Sequence, residues 1–351
     1  MVSLISNSPG TSLARYVGAL ARCKGDVIGA ADFAFHKWKD APAISEALVQ
    51  MAMVPAGDVS DPGWASPLVS FGLAQDFLQA VRAASVIGRL TGTRRAPFGT
   101  RVPIEATGGG GGWIGPGMPI PLARSAFENI SLTRHKAGVL VALTSELLQS
   151  LSLAAVASIK ESLIAGVVQF LDQQFLDPSI SAVTNISPAS ITNGGVEIIS
   201  SGSTAAAITA DLSNMISAAD ADMTSPVWVM RGRTCAHIAG TLQIPDIRIN
   251  GGTLFGFPIL TTKSQANPVG SPVNARYITL LDMSAVLIAD DGAIDVSISD
   301  ATSLQMSDVQ ALGAQPLVSL FQTDAAVARV VREITWMRTR STAAVYMEVA
   351  F

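Results

Sequence analysis

The chain has 351 residues, 49% hydrophobic and 14% charged, with a formal net charge of −4; the usual charged share is ~25%. That length allows about two domains and a sizeable core. A mean hydropathy of +0.40 would suit a membrane protein, but no spanning segment is predicted. The clean apolar run between Glu161 and Asp172 is shorter than the ~20 residues a span needs. The longer uncharged stretch 106–123 is full of Gly and Pro, and residues 1–9 lack the basic start and apolar core of a signal peptide. The composition therefore predicts a soluble chain much of whose surface is buried against partners.

In chain order, 13–20 and 27–38 read as short helices broken near Gly25 and Asp26, and a third helix over 43–53 starts after Pro42. A linker-like stretch rich in Pro and Gly follows, so these helices read as a small module ahead of the main body. A short amphipathic helix over 71–82 carries Phe71, Leu78 and Val81 as its apolar residues. Segments 101–105 and 128–135 read as the two strands of a long excursion whose tip holds Gly108 to Gly112, Trp113 and several prolines. A loop that long in a compact domain tends to be functional, and an exposed Trp is a natural anchor into a partner's pocket.

A strand over 136–143 and a short helix over 145–151 lead into the longest predicted helix, 152–177. Val156, Ile159, Leu163, Val167 and Phe170 recur at spacings of three and four, and Ile164, Val168, Leu171 and Phe175 form a second stripe. Ser152 is a suitable N-cap and Pro178 a stop, giving a rod of about 38 Å. An amphipathic helix over 205–219 and a helix over 233–242 follow. Strands are predicted at 227–230, 256–262, 277–281, 285–289, 317–321, 327–337 and 343–351. The pattern is α+β.

Charge is segregated. Residues 82–136 carry eight basic side chains against Glu105 and Glu128, whereas residues 137–320 carry 15 acidic against 6 basic. A basic segment and an acidic body in one low-charge chain predict self-complementary docking. Cys23 and Cys235 are the only cysteines; they form no disulfide framework or zinc pattern and read as unreactive thiols of a reducing cytoplasm.

No catalytic constellation emerges. Gly110, Gly112 and Gly115 match the dinucleotide fingerprint by letter, but Pro116, Pro119 and Pro121 prevent the helix that must open there. No P-loop, nucleophile elbow or zinc helix motif is present. His36, His135 and His237 are scattered, and Asp290 and Asp291 near Asp295 read as a solvated turn or, less readily, a weak cation site. No catalytic residue, cofactor or metal is expected.

In its ordered set of passages the chain resembles the major capsid proteins of tailed bacteriophages, whose Hong Kong 97-like fold also builds encapsulin shells. The passages are Trp113 to Pro121, Phe127 to Ala137, Thr144 to Ser150, Phe170 to Asp177, Leu254 to Leu260 and Phe321 to Arg329 running on to Trp336. The helical module at 1–66 lies outside the common body, and the resemblance implies an N-terminal arm at 67–90 and an extended β-hairpin loop at 91–135. It further implies a peripheral domain with a spine helix at 136–178 and 317–351, and an axial domain at 179–316. Some relatives cut off such an N-terminal segment; a start at Met1 reads as retention here. Between Gly92 and His135 there is no lysine, so the isopeptide weld of some relatives is not expected.

The expected function is a self-assembling icosahedral shell around a double-stranded DNA phage genome. Partners would be copies of itself in hexamers and pentamers, and DNA held without sequence specificity. Portal, scaffold or protease, and decoration proteins are further expected partners, with no membrane and assembly in the host cytoplasm. An encapsulin-type compartment and a hydrolase are the alternatives. If the hairpin lies over a neighbour, Arg94, Arg95, Arg101 and Arg124 are expected to approach Glu146, Glu161 and Asp172 of another subunit, with Trp113 supplying the apolar contact.

Overall fold

The computed structural model describes residues 10–52, 71–107, 126–144, 152–219, 223–268, 275–299, 303–305, 317–320, 322 and 325–351. Three helices come first: α1 (Thr11–Arg22), α2 (Val27–Lys37) and α3 (Pro42–Ala52). The Asp26 carboxylate caps α2 by accepting from the Ile28 amide at 3.1 Å. Helix α4 (Phe71–Ala84) buries Phe77, Leu78 and Val81; Phe77 is absent from the predicted stripe. Ser85 then caps the one-turn helix α5 (Val86–Arg89) through the Gly88 amide.

Next come β1 (Arg94–Arg95), the hairpin strands β2 (Arg101–Thr107) and β3 (Ala126–Ser131), and β4 (Lys136–Thr144). The predicted helix at 145–151 lies outside the described residues. Helix α6 (Leu153–Leu176) starts at Ser152, whose hydroxyl accepts from the Ala155 amide, and ends before Pro178. The body continues with β5 (Val196–Ile199), α7 (Ala205–Ala218), β6 (Pro226–Met230), α8 (Gly232–Leu242), β7 (Gly252–Leu254), β8 (Phe257–Thr261) and β9 (Arg276–Asp282). Strands β10 (Val286–Ser299), β11 (Ser303–Gln305), β12 (Leu317–Ser319), β13 (Ala325–Arg338) and β14 (Ala344–Val349) close the chain.

Two sheets organise these elements. A four-stranded sheet runs β1-β10-β13-β4 and a six-stranded sheet runs β5-β14-β9-β6-β8-β7. The hairpin β2–β3 is a two-stranded sheet of its own, as is β11–β12. Along β13 the inward residues Ala326, Ala328, Val330, Ile334 and Trp336 alternate with outward ones and join the core that α1 and α6 share. Phe175 of α6 meets Trp336 edge to face at 5.4 Å. At Gly166 the helix comes so close to β4 that an added Cβ would stand 3.1 Å from Val139. Ile159, Leu163 and Val167 are buried as predicted, each apolar side chain contributing ~1.5–3 kcal/mol. By length and composition α6 could cross a membrane, contrary to the sequence expectation, but most of its apolar residues pack into this core; Phe170, expected on the first stripe, is instead exposed. A second core lies between the six-stranded sheet and α7 and α8, centred on Trp228, whose indole N–H donates to the Leu254 carbonyl.

Two expectations change. The N-terminal helices do not stand apart from the body: Leu13, Tyr16, Val17 and Leu20 of α1 share one core with α6. Strands of both sheets also cross the line at 316. Val286–Ser299 belongs to the four-stranded sheet, and Ala344–Val349 lies between β5 and β9 in the six-stranded one. Each sheet borrows a strand from the other side of that line, because every interior strand needs two partners for its backbone groups. The two crossings are tied together where Arg340 donates to Asp282 at 3.1 Å.

Candidate assembly interface

The hairpin is anchored at its base. Strand β1 pairs in parallel with β10, placing Arg94 beside Leu287 and Arg95 beside Ile288, and the Ala96 amide continues the ladder to the Ile288 carbonyl at 3.1 Å. Val102 and Leu132 pack on Leu287 and Ala289 beneath it. Arg94, Arg95 and Arg101 are all exposed, and among the described residues none forms an ion pair. The rest of the basic segment differs: Arg82 bonds Asp290 at 3.2 Å, and Arg134 bonds Glu333 at 2.7 Å with Lys136 at 3.9 Å. Three cations therefore remain available on a strand edge and at the start of the hairpin. Trp113, Arg124 and Glu146 lie outside the described residues.

The expected acidic partners are not alike. Glu161 is exposed on α6. Asp172, expected at a contact with another subunit, is instead 0% exposed and committed within its own chain. It accepts from the Val86 amide and from the Thr262 hydroxyl, both at 2.9 Å. Burial raises its pKa to about 6, against the pull of those two hydrogen bonds and of nearby Arg89. The apolar face of α6 carries this carboxylate inward with it, so Asp172 ties α5, the long helix and the segment after β8 together.

Asp290 also departs from its expected place. It is neither a solvated turn nor a cation site but a buried ion-pair centre, with Arg332 at 2.6 Å and the two side chains 6% and 5% exposed. The strand bulges between Asp290 and Ile294, and Gly292 adopts φ +70 there, letting its amide bond Asp290 at 3.1 Å. Burial alone would raise the Asp290 pKa; Arg332, Gly292 and Arg82 hold it below the usual range. The turn-like residues Asp290, Asp291 and Gly292 signalled the bulge but not the distant arginine.

One feature was not read from the sequence. Between α6 and the start of α8 lies a cleft of about 1120 Å³, rimmed by Arg89, Arg231, Arg233 and Lys263 with Glu161 as its carboxylate. Glu161 thus stands in a cationic rim rather than an acidic field. Arg231, Gly232 and Arg233, basic residues at a helix start within an acidic body, were the available signal.

Residues 67–348 match the phage capsid family. The chain belongs to that family. Over 97% of its length it is 34% identical to a capsid polyprotein of Pseudomonas phage PAJU2, and it spans about half (54%) of that relative's length. Solved structures share the fold at low identity. One from Mycobacterium phage Adephagia has a TM-score of 0.53 at 16% identity, covering 75% of this chain and 89% of that one. One from Gordonia phage Cozz has 0.52 at 14% identity, covering 74% and 85%. The α+β, Hong Kong 97-like capsid fold anticipated from the sequence is thereby shown, and the protein is a phage capsid protein.

Proposed function

We propose that this phage capsid protein is the major shell subunit of a double-stranded DNA phage, assembling through hexamers and pentamers into an icosahedral shell in the host cytoplasm. The observation that carries the reading is the continuous family match over 67–348, which includes the hairpin as a separate two-stranded sheet. In this reading α6 is the spine of a peripheral domain built on the four-stranded sheet, and the six-stranded sheet with α7 and α8 is the axial domain. The hairpin reaches a neighbouring copy, and Arg94, Arg95 and Arg101 choose register there.

The role is structural, and its mechanism is burial. Obligate interfaces cover ~2,000–5,000 Å², worth tens of kcal/mol gross at ~25 cal/mol per Å² of apolar area, before association costs. An overall acidic wall encloses DNA without gripping it, since tight phosphate binding needs dense basic contacts. Portal, scaffold or protease, and decoration proteins are the further partners of this reading. Electron microscopy of the chain expressed alone and with its phage partners tests it: closed shells or capsomers are expected, and a monomer under all assembly conditions refutes it. Nucleic acid in purified particles distinguishes a genome shell from a cargo compartment.

A further inference from the structure

The basic cleft between α6 and α8 concentrates a scarce resource. Residues 137–320 hold only six basic side chains against 15 acidic ones. Three of those six, Arg231, Arg233 and Lys263, rim this one cleft, and Arg89 of α5, whose guanidinium donates to the Thr261 carbonyl, adds a fourth cation. Among the described residues neither Arg231, Arg233 nor Lys263 has an ion-pair partner. Arg231 also lies close to Arg276, and burial together with that neighbour lowers its pKa. Its guanidinium reaches the Gln265 carbonyl, while its Nε has no hydrogen-bond partner. Four cations with Glu161 as the carboxylate among the cleft's lining residues leave positive charge in excess; such like charges cost the isolated subunit free energy, and an arriving carboxylate relieves that cost.

The walls between the charges are apolar. Ile164 and Val168 of α6 form one side, and Ile249, 60% exposed, stands on the other. At about 1120 Å³ the space exceeds the ~300–1,000 Å³ of small-molecule pockets. A DNA backbone offers phosphates and sugars and would leave those apolar walls uncovered. A protein segment with carboxylates beside apolar side chains covers both. The chain belongs to the phage capsid family and itself carries exposed carboxylates, Asp246 among them.

We propose that this cleft is an assembly contact that receives a carboxylate-bearing segment of a second copy of the chain. The inference rests on the shell reading and adds to it a polarity opposite to that of the hairpin arginines. At the hairpin base this subunit offers cations outward from a strand edge; at the cleft it offers cations that a neighbour's acidic segment enters. Glu161, on the same rim, repels misplaced carboxylates and so fixes where the segment can lie.

The test compares three full-length chains: wild type, the double reversal Arg233→Glu with Lys263→Glu, and the control reversal Lys37→Glu with Lys39→Glu. Both pairs are exposed and change the net charge equally. Melting by circular dichroism verifies that each chain folds. The cleft variant is expected to lose about tenfold or more of its assembled fraction at low salt, since like-charge contacts at an interface cost several kcal/mol; the control assembles as wild type does. Acetylation read by mass spectrometry gives a second measure on wild type. Lys263 is expected to be modified in unassembled subunits and protected in shells. Shells from all three chains alike, with Lys263 still modified in them, overturn the contact while leaving the shell reading intact. Protection of Lys263 by added duplex DNA, with no protection on assembly, overturns it in favour of a nucleic-acid site. A wild-type chain that forms no shell overturns the shell reading and the contact with it.

Discussion

The Thr262 hydroxyl donates to the Asp172 carboxylate at 2.9 Å, across the junction between the six-stranded sheet and α6. The same carboxylate holds the Val86 amide at the start of α5. One buried charge therefore joins three parts of the chain, and it does so at a cost, because burial raises its pKa from 3.8 to about 6.

The sign follows from linkage. A raised folded-state pKa means that the folded chain holds the proton more tightly. The resulting stabilisation is full below about pH 3.8 and is lost as pH rises through about 6. Between pH 7 and pH 5 the gain is on the order of 1 kcal/mol. Asp172→Asn keeps an acceptor for Val86 but cannot titrate. Its stability relative to wild type, from denaturant melts, should fall as pH drops from 7 to 5; a constant difference over that range would remove Asp172 as the cause.

Arg332 and Asp290 form the other buried charge pair. Removing one partner of such a pair costs ~3–5 kcal/mol, because the other is left uncompensated. Arg332→Met should show that loss in its denaturant midpoint. Arg82→Met should cost less, because the Arg82 side chain is one-third exposed. Equal and small effects of the two substitutions would mean that the pair is not held dry.

Leu163 sits at the centre of the α6 face and is fully buried. Leu163→Ala should cost ~2–5 kcal/mol, whereas Phe170→Ala, on the exposed side of the same helix, should cost well under half as much. Comparable losses at the two positions would contradict the packing of α6.

Arg94 and Arg95 stand exposed on the edge strand. Their joint reversal to Glu should slow or block assembly while leaving the subunit melt unchanged. Exposed pairs are worth only ~0–1 kcal/mol each, so their effect is on register and pairing and should weaken with salt, screened beyond ~10 Å at 0.1 M. Normal assembly of the reversed chain at low salt would discard the hairpin charge argument.

No lysine lies between Gly92 and His135. Mature particles denatured by boiling should therefore run as one subunit band on a reducing gel. A ladder of oligomers resistant to reducing agent would reveal a covalent weld from another lysine.

What the sequence determined by itself is local and periodic. The three- and four-residue spacing from Val156 to Phe175, with Ser152 and Pro178 as punctuation, set α6 almost to the residue, because capping and amphipathic burial act within a few turns. The ordered passages from Trp113 to Trp336 carried the family. The tertiary structure alone decided which distant groups meet. Asp172 reads as a polar position on a helix until Val86 and Thr262 close over it, and Asp290 reads as a turn until Arg332, 42 residues on, is laid beside it by strand pairing. The exchange of β10 and β14 between the sheets and the gathering of Arg89, Arg231, Arg233 and Lys263 around one cleft are likewise products of pairing across long separations. No local propensity encodes such pairing, since backbone hydrogen bonds and charge contacts are indifferent to how far apart their partners lie in the chain.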